Sequence, residues 1–267
     1  MKEIIKDIRE EVAELNSLLI NLSTEQWATK TTFKDWTPEI VVSHLCYFDL
    51  MTIYSINDAE KFSTEGKYIM QVFSTKYNSL DRAIAIKERL NTKSYEELRT
   101  LWLSSNDQMC SVFETVNPKL RCQWFGPDMG AKMFMTARYM ETWSHGQEIY
   151  DLLKKKRHYT DSIKNIADIG VKTFEWTFKN RQLNVPNEKP FISLTSPSGV
   201  QWQWNNSNNK NEIIGRASDF CHVVTQNRNV ADTKLKIQGD IAKQWMSIAQ
   251  CFAGEPESPP EVGTRAS

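Results

Sequence analysis

The sequence lacks a charge bias. Its 267 residues carry 33 lysines and arginines against 33 aspartates and glutamates, so no net field draws the chain to nucleic acid or to an anionic membrane. It lacks a leader. The opening MKEIIKDIREEVAELNSLL is amphipathic, but acids run through it, and it has neither a continuous apolar core nor a small-residue cleavage site. No stretch approaches the roughly 18 consecutive apolar residues that a membrane span needs. Close-spaced cysteines are missing too. Cys46, Cys110, Cys122, Cys221 and Cys251 are odd in number and widely separated, which argues against a disulfide framework and for reduced, buried thiols. These absences predict a soluble, cytoplasmic protein with no nucleic-acid or membrane partner. What is present is a composition 40% hydrophobic and 25% charged, enough for a packed core.

The first half reads as helices. Ile5, Ile8, Val12, Leu15, Leu18 and Leu19 recur at helical spacing. Thr37 before Pro38 is a start signal for a second helix. NSLDRAIAIKERL is a shorter one, and Ser94 with Glu97 forms a capping-box pattern before another long one. NPKLRCQWFGPDMGAK reads as a loop, and ARYMETWSHGQEIYDLL as the body of the last helix. The pattern predicts an antiparallel four-helix bundle over residues 1–158, with extra helical material between the second and third long helices. Beyond it, DSIKNIADIGVKTFEWTFKNR is helical, KPFISLTSP and VQWQWNN form a hairpin, and EIIGRASDFCHVVTQNR is helical in its second half. TKLKIQGD alternates like a strand, and IAKQWMSIAQCFAG closes with a helix. The expectation is an α+β protein: a helical bundle, a small α+β domain over 159–255, and a loosely ordered Pro-rich tail over 256–267.

Two helical stripes carry polar residues where a core face should be apolar. At about 100° per residue, Phe134, Glu141, His145 and Leu152 project together, with Ala137 nearby. On the second helix, Val41, His44, Phe48 and Met51 share a stripe on which His44 is the single ionisable member. An unpaired buried carboxylate costs several kcal/mol, so something must compensate. Glu141 and His145, four residues apart, point the same way and could share a metal ion. With His44 they would supply two nitrogens and a carboxylate, the donor set of many catalytic zinc sites with one position open. The alternatives are hydrogen-bonded core histidines, a Glu141–His145 pair, or an i, i+3 ion pair between Arg138 and Glu141. Glu148 and Cys46 are further candidates for a fourth ligand. His158 reads as exposed, and His222 as a residue of the core or of the domain junction.

DWTPEIVVSHL followed by ARYMETWSHGQEIYDLL resembles the DinB-like metal-binding bundles, and more closely the mycothiol-dependent maleylpyruvate isomerase group. The features that carry the resemblance are Asp35-Trp36 before His44-Leu45, then Arg138, Glu141, Trp143, His145 and Gly146. The segment from Ile213 to Gly254 is similar to the C-terminal region of a metal-binding subfamily in that group. The resemblance implies that His44, Glu141 and His145 hold a divalent ion, zinc first. It implies a DinB-like four-helix bundle followed by a sterol-carrier-protein-like domain. It also implies an arginine acting at the metal, for which Arg228 is the better match and Arg216 the runner-up. The chemistry that follows is a thiol-dependent isomerase or thiol S-transferase using a low-molecular-weight thiol on a small, carboxylate-bearing substrate. A non-catalytic metal- and ligand-binding protein and a metal-dependent hydrolase are the alternatives. Trp36, Trp124, Phe125 and Trp143 are candidates for an apolar wall of the site, with core packing as the competing role.

Overall fold

A computed structural model of the chain describes residues 1–125, 128–205 and 210–265. Contacts divide it into two compact units, Met1–Lys154 and Lys155–Ser267. The first unit is helical. Helix α1 (Lys2–Leu19) buries Ile4, Ile5, Ile8, Val12, Leu15, Leu18 and Leu19. A single turn, α2 (Thr24–Trp27), is held by a complete capping box between Ser23 and Gln26. Then come α3 (Pro38–Asn57), α4 (Ala59–Thr75), α5 (Ser79–Leu90), α6 (Tyr95–Thr115) and α7 (Ala131–Leu152). At α6 half of the expected capping box forms: Ser94 Oγ accepts from Glu97 N at 3.1 Å, while the Glu97 carboxylate takes Lys93 N instead. The stretch expected as a loop before α7 contains two short paired strands, β1 (Arg121–Cys122) and β2 (Met129–Gly130). Gly126 and Pro127 of that stretch lie outside the described residues.

Helices α1, α3, α6 and α7 pack as a four-membered bundle in which α1 and α3 each touch α6 and α7. The strict antiparallel alternation expected from the sequence is not what forms. Arg9 of α1 meets Asp107 and Glu114 of α6, and Asn16 meets Arg99, so α1 and α6 are antiparallel. Gly146 of α7 sits against Glu11 and Leu15, and Tyr150 donates to Glu14, so α1 and α7 are parallel. His44 meets Glu141 and Asp49 meets Arg138, so α3 and α7 are antiparallel. It follows that α3 and α6 run the same way. The physical reason is the intervening α4 and α5, which return the chain to the end at which α3 began. Among the described residues, helix α3 is also the one helix long and apolar enough, by length and composition, to cross a membrane, contrary to the expectation that no stretch approaches this. Sixty-one percent of that window is buried inside the protein, the pattern of a core helix.

The second unit is α+β. A 3₁₀ turn at Asp161–Ile163 leads into α8 (Lys164–Lys172) and α9 (Phe174–Asn180), so the single helix expected here breaks at Thr173. Strands β3 (Phe191–Thr195) and β4 (Gln201–Trp204) form the expected hairpin; Asn206, the last residue of the expected strand, lies outside the described residues. Strand β5 (Glu212–Arg216) leads directly into α10 (Ala217–Val224), and β6 (Lys236–Gln238) into α11 (Asp240–Ile248). The sheet order is β4-β3-β5-β6, with β3 and β5 parallel and the other pairs antiparallel. Strand β5 was not legible because its five residues include Gly215 and run without a turn into a helical pattern. Phe174, Phe178, Phe220 and Trp245 form the aromatic centre of this unit's core. The Pro-rich tail is not loose. The Glu257 carbonyl accepts from Gln226 and Arg181, Asn229 donates to the Pro260 carbonyl, and Asp232 takes Gly263 N. Ala266 and Ser267 of that tail lie outside the described residues.

Candidate metal centre

Thr37 caps α3, its Oγ1 accepting from Ile40 N at 3.3 Å, with Pro38 in the first turn. That fixes the phase of α3 so that His44 faces α7. On α7, Glu141 and His145 stand one turn apart. The structure brings the three together: one ligand atom from each lies within 4.8 Å of the others. His44 Nε2 is 3.3 Å and His145 Nε2 3.4 Å from the same oxygen, Glu141 Oε2. Ligands bound at about 2.1 Å around a tetrahedral ion stand about 3.4 Å apart, so these spacings fit a zinc-sized ion. The donor set also suits other first-row divalent metals. The side chains are 17%, 22% and 11% exposed for His44, Glu141 and His145, so one side of the cluster is open to solvent.

The electrostatics keep His44 and Glu141 in ligand form. Burial pushes the His44 imidazole down to about 4, against the opposing pull of Glu141. Burial alone would raise the Glu141 carboxyl, but hydrogen bonds and charge from His145 and His44 outweigh it and hold it well below the usual carboxylate range. A neutral imidazole and an ionised carboxylate are the forms that bind a cation.

Aromatic rings bound the cluster. Trp36 stacks on His145 with centroids 5.3 Å apart, Phe33 meets the same ring edge-on at 5.3 Å, and Phe48 lies 4.7 Å from His44. Phe48 continues the wall to Trp124 and Phe125. Phe33 and Trp36 are placed by a tight turn in which Thr31 N donates to the Trp36 carbonyl and Trp36 N to the Phe33 carbonyl, both at 2.8 Å. Lys34 and Asp35 sit in the left-handed region at φ 51° and 60°. Of the four aromatics expected as wall or core, Trp36, Trp124 and Phe125 connect to the site, and Trp143 is fully buried in the core.

Arg138 does not pair with Glu141. It is buried on Asp49, Nε to Oδ1 at 3.0 Å, and its Nη2 donates to the Leu45 carbonyl; Asn106 donates to the other Asp49 oxygen. Asp49 and Asn106 were missed, because their partners lie on other helices and no local spacing marks them. Glu148 and Cys46 are buried but outside the three-residue cluster. Cys46 contacts Ser105, and burial pushes its thiol up to about 12, which leaves it inert. In the second unit, His158 is exposed, and His222 is buried with Nε2 2.8 Å from the Tyr159 hydroxyl. Arg228 is buried, its Nη1 donating to the Asn227 carbonyl, and Arg216 is exposed at the end of β5.

The fold and site define a bundle protein with a three-ligand candidate metal centre followed by an α+β unit. The sequence profile of the mycothiol maleylpyruvate isomerase N-terminal domain matches residues 8–150, and the chain belongs to that family. An uncharacterized protein of Mycobacterium tuberculosis, matched in two strains, is 31% identical over 252 residues, covering 94% of this chain and 96% of the relative. Among solved structures, the mycothiol-dependent maleylpyruvate isomerase is similar with a TM-score of 0.53 at 12% identity, over 83% of this chain and 87% of that one. A histidine-to-alanine mutant of the same enzyme matches with a TM-score of 0.54 at 11% identity. At such identity the likeness is one of fold.

Proposed function

We propose that the chain is a metal-dependent enzyme of the thiol-dependent isomerase or thiol S-transferase type, built from a DinB-like bundle and a sterol-carrier-protein-like domain and working in the cytoplasm. His44, Glu141 and His145 hold the ion, zinc first. The observation that carries the reading is their convergence within 4.8 Å on a partly exposed face. A divalent ion there supplies Lewis acidity, lowering the pKa of a thiol so that it is held as the thiolate nucleophile. The thiolate can add reversibly to an activated double bond, allow rotation and leave again, so the thiol is regenerated. Alternatively it displaces a leaving group. Phe33, Trp36, Phe48 and Trp124 exclude water on one side, and Trp36 orients the His145 ring. A substrate carboxylate calls for a bidentate arginine, and Arg228 and Arg216 remain the proposed residues.

The test uses cobalt-substituted protein. Addition of mycothiol should produce a thiolate-to-metal absorption band, and turnover of maleylpyruvate or a related small acid should require both thiol and metal. No spectral change at millimolar thiol would sink the thiol reading. The open face admits water equally, so a metal-dependent hydrolase is the second reading, selected by thiol-independent turnover. Metal and ligand binding with no turnover at all would select a non-catalytic binding protein.

A further inference from the structure

The second unit contains an open cleft of about 510 Å³ to which Lys156, Arg157, Arg216, Thr195 and Ser218 contribute. No carboxylate is among the described residues that line it. The closest acids by sequence are already engaged: Asp161 accepts from Ser198 N at 3.0 Å and Ser198 Oγ at 2.6 Å, and Asp219 accepts from Lys234 N at 3.2 Å. Arg216 and Lys156 are both exposed, and neither side chain makes an ion pair or hydrogen bond with another described residue. Arg157 is buried, so its guanidinium is a fixed charge at the cleft rather than a mobile surface one. Thr195 Oγ1 already accepts from Gln201 Nε2 at 2.7 Å, which leaves its hydroxyl proton to donate. Ser218 lies in the first turn of α10, where backbone N–H groups favour an anion, and its hydroxyl has no partner among the described residues.

We propose that this cleft of the second unit is a binding site for the phosphate group of a small molecule, an assignment that takes Arg216 and leaves Arg228 as the arginine proposed for the substrate carboxylate. Two exposed cations, Lys156 and Arg216, and two hydroxyls offer more donors than one planar carboxylate can accept, whereas a phosphate monoester presents three terminal oxygens and a double charge. The planar guanidinium of Arg216 suits that recognition, with the buried charge of Arg157 beside it. The volume leaves room for the organic part of the ligand beyond the phosphate. The β3–β5 pairing sets the donors side by side, since Thr195 and Arg216 are register partners at the ends of parallel strands.

The test is isothermal titration of the full-length chain with inorganic phosphate in chloride buffer, with acetate and maleate as carboxylate arms. Expected are saturable one-to-one phosphate binding, weaker binding of either carboxylate, and loss of affinity as chloride rises. Arg216→Ala and Lys156→Ala should each weaken phosphate binding by about tenfold, with Arg216→Lys intermediate. Because both residues are exposed, thermal melts of these variants should match wild type. Repeating the titration on His44→Ala/His145→Ala protein separates the cleft from the metal centre, and phosphate affinity should be unchanged there. Absent phosphate binding, maleate binding more tightly than phosphate, equal affinity in the Arg216 and Lys156 variants, or loss of binding with the metal ligands would each overturn the assignment. None of these outcomes depends on the proposed thiol chemistry.

Discussion

Trp36 lies flat on His145, with ring planes within 7° and centroids 5.3 Å apart, and the same indole is 5.2 Å from His44. One side chain from the turn before α3 therefore bounds both imidazoles of the candidate centre, one from α3 and one from α7.

Replacing Trp36 should disturb the ligands before it disturbs the fold. Its Nε1 is buried and has no hydrogen-bond partner among the described residues, so Trp36→Phe gives up no polar contact and should keep most metal affinity. Trp36→Ala should weaken zinc binding by about tenfold, the scale typical of groups that orient metal ligands. Competition with a chromophoric chelator measures both. Equal zinc affinity in all three proteins would show that the stack does not orient His145.

The buried Asp49–Arg138 pair should be worth far more than a surface ion pair. Both side chains are at most 3% exposed. Arg138→Met leaves the Asp49 carboxylate buried without its cation, and should cost about 3–5 kcal/mol in urea unfolding. Asp49→Leu combined with Arg138→Met should recover much of that loss, because the uncompensated charge is gone. Because the pair pins α3 to α7 beside the cluster, Arg138→Met should also lower metal occupancy.

These two contacts mark where sequence reading stops. The helical period was enough to put Glu141 and His145 on one face and His44 on another, because all three positions follow from spacing within single helices. Arg138 pairs with Asp49 on another helix, and spacing within α7 could offer only Glu141 as its partner. The direction of α3 relative to α6 depends on where α4 and α5 deliver the chain, which no amphipathic stripe records. Strand β5 merged with α10 for want of a turn signal. The tail's order comes from side chains such as Gln226 and Asn229, about thirty residues upstream, donating to its carbonyls.

His222 should make the second unit acid-sensitive. Burial first, then the charges of Arg228 and Arg157, hold its imidazole well below the ordinary histidine value. The unfolded chain takes up a proton below about pH 6.5 that the folded unit refuses. Stability is therefore lost as pH falls from about 6.5, with a slope approaching about 1.4 kcal/mol per pH unit from this group. His222→Gln should flatten the urea-midpoint profile between pH 6.5 and 5. An unchanged slope would assign the acid sensitivity elsewhere.

Gly239, at φ 86°, should tolerate no side chain. A Cβ there would lie 1.9 Å from the Lys210 carbonyl oxygen and 2.4 Å from Asn211 Oδ1. That same Asn211 oxygen accepts from Ile241 N and Ala242 N at the start of α11. Gly239→Ala should cost about 3 kcal/mol or more, through the clash and the lost cap together. Thermal unfolding of the full chain detects it, and a melting temperature equal to wild type would contradict the close approach.

The central claim, that His44, Glu141 and His145 form one metal centre, is tested most directly by elemental analysis of the purified chain beside His44→Ala, Glu141→Ala and His145→Ala. The account predicts close to one divalent metal per wild-type chain after zinc loading and gel filtration, and strongly reduced occupancy in every variant, with folded circular-dichroism spectra throughout. Wild-type protein that retains no metal, or variants that retain it fully, would contradict it.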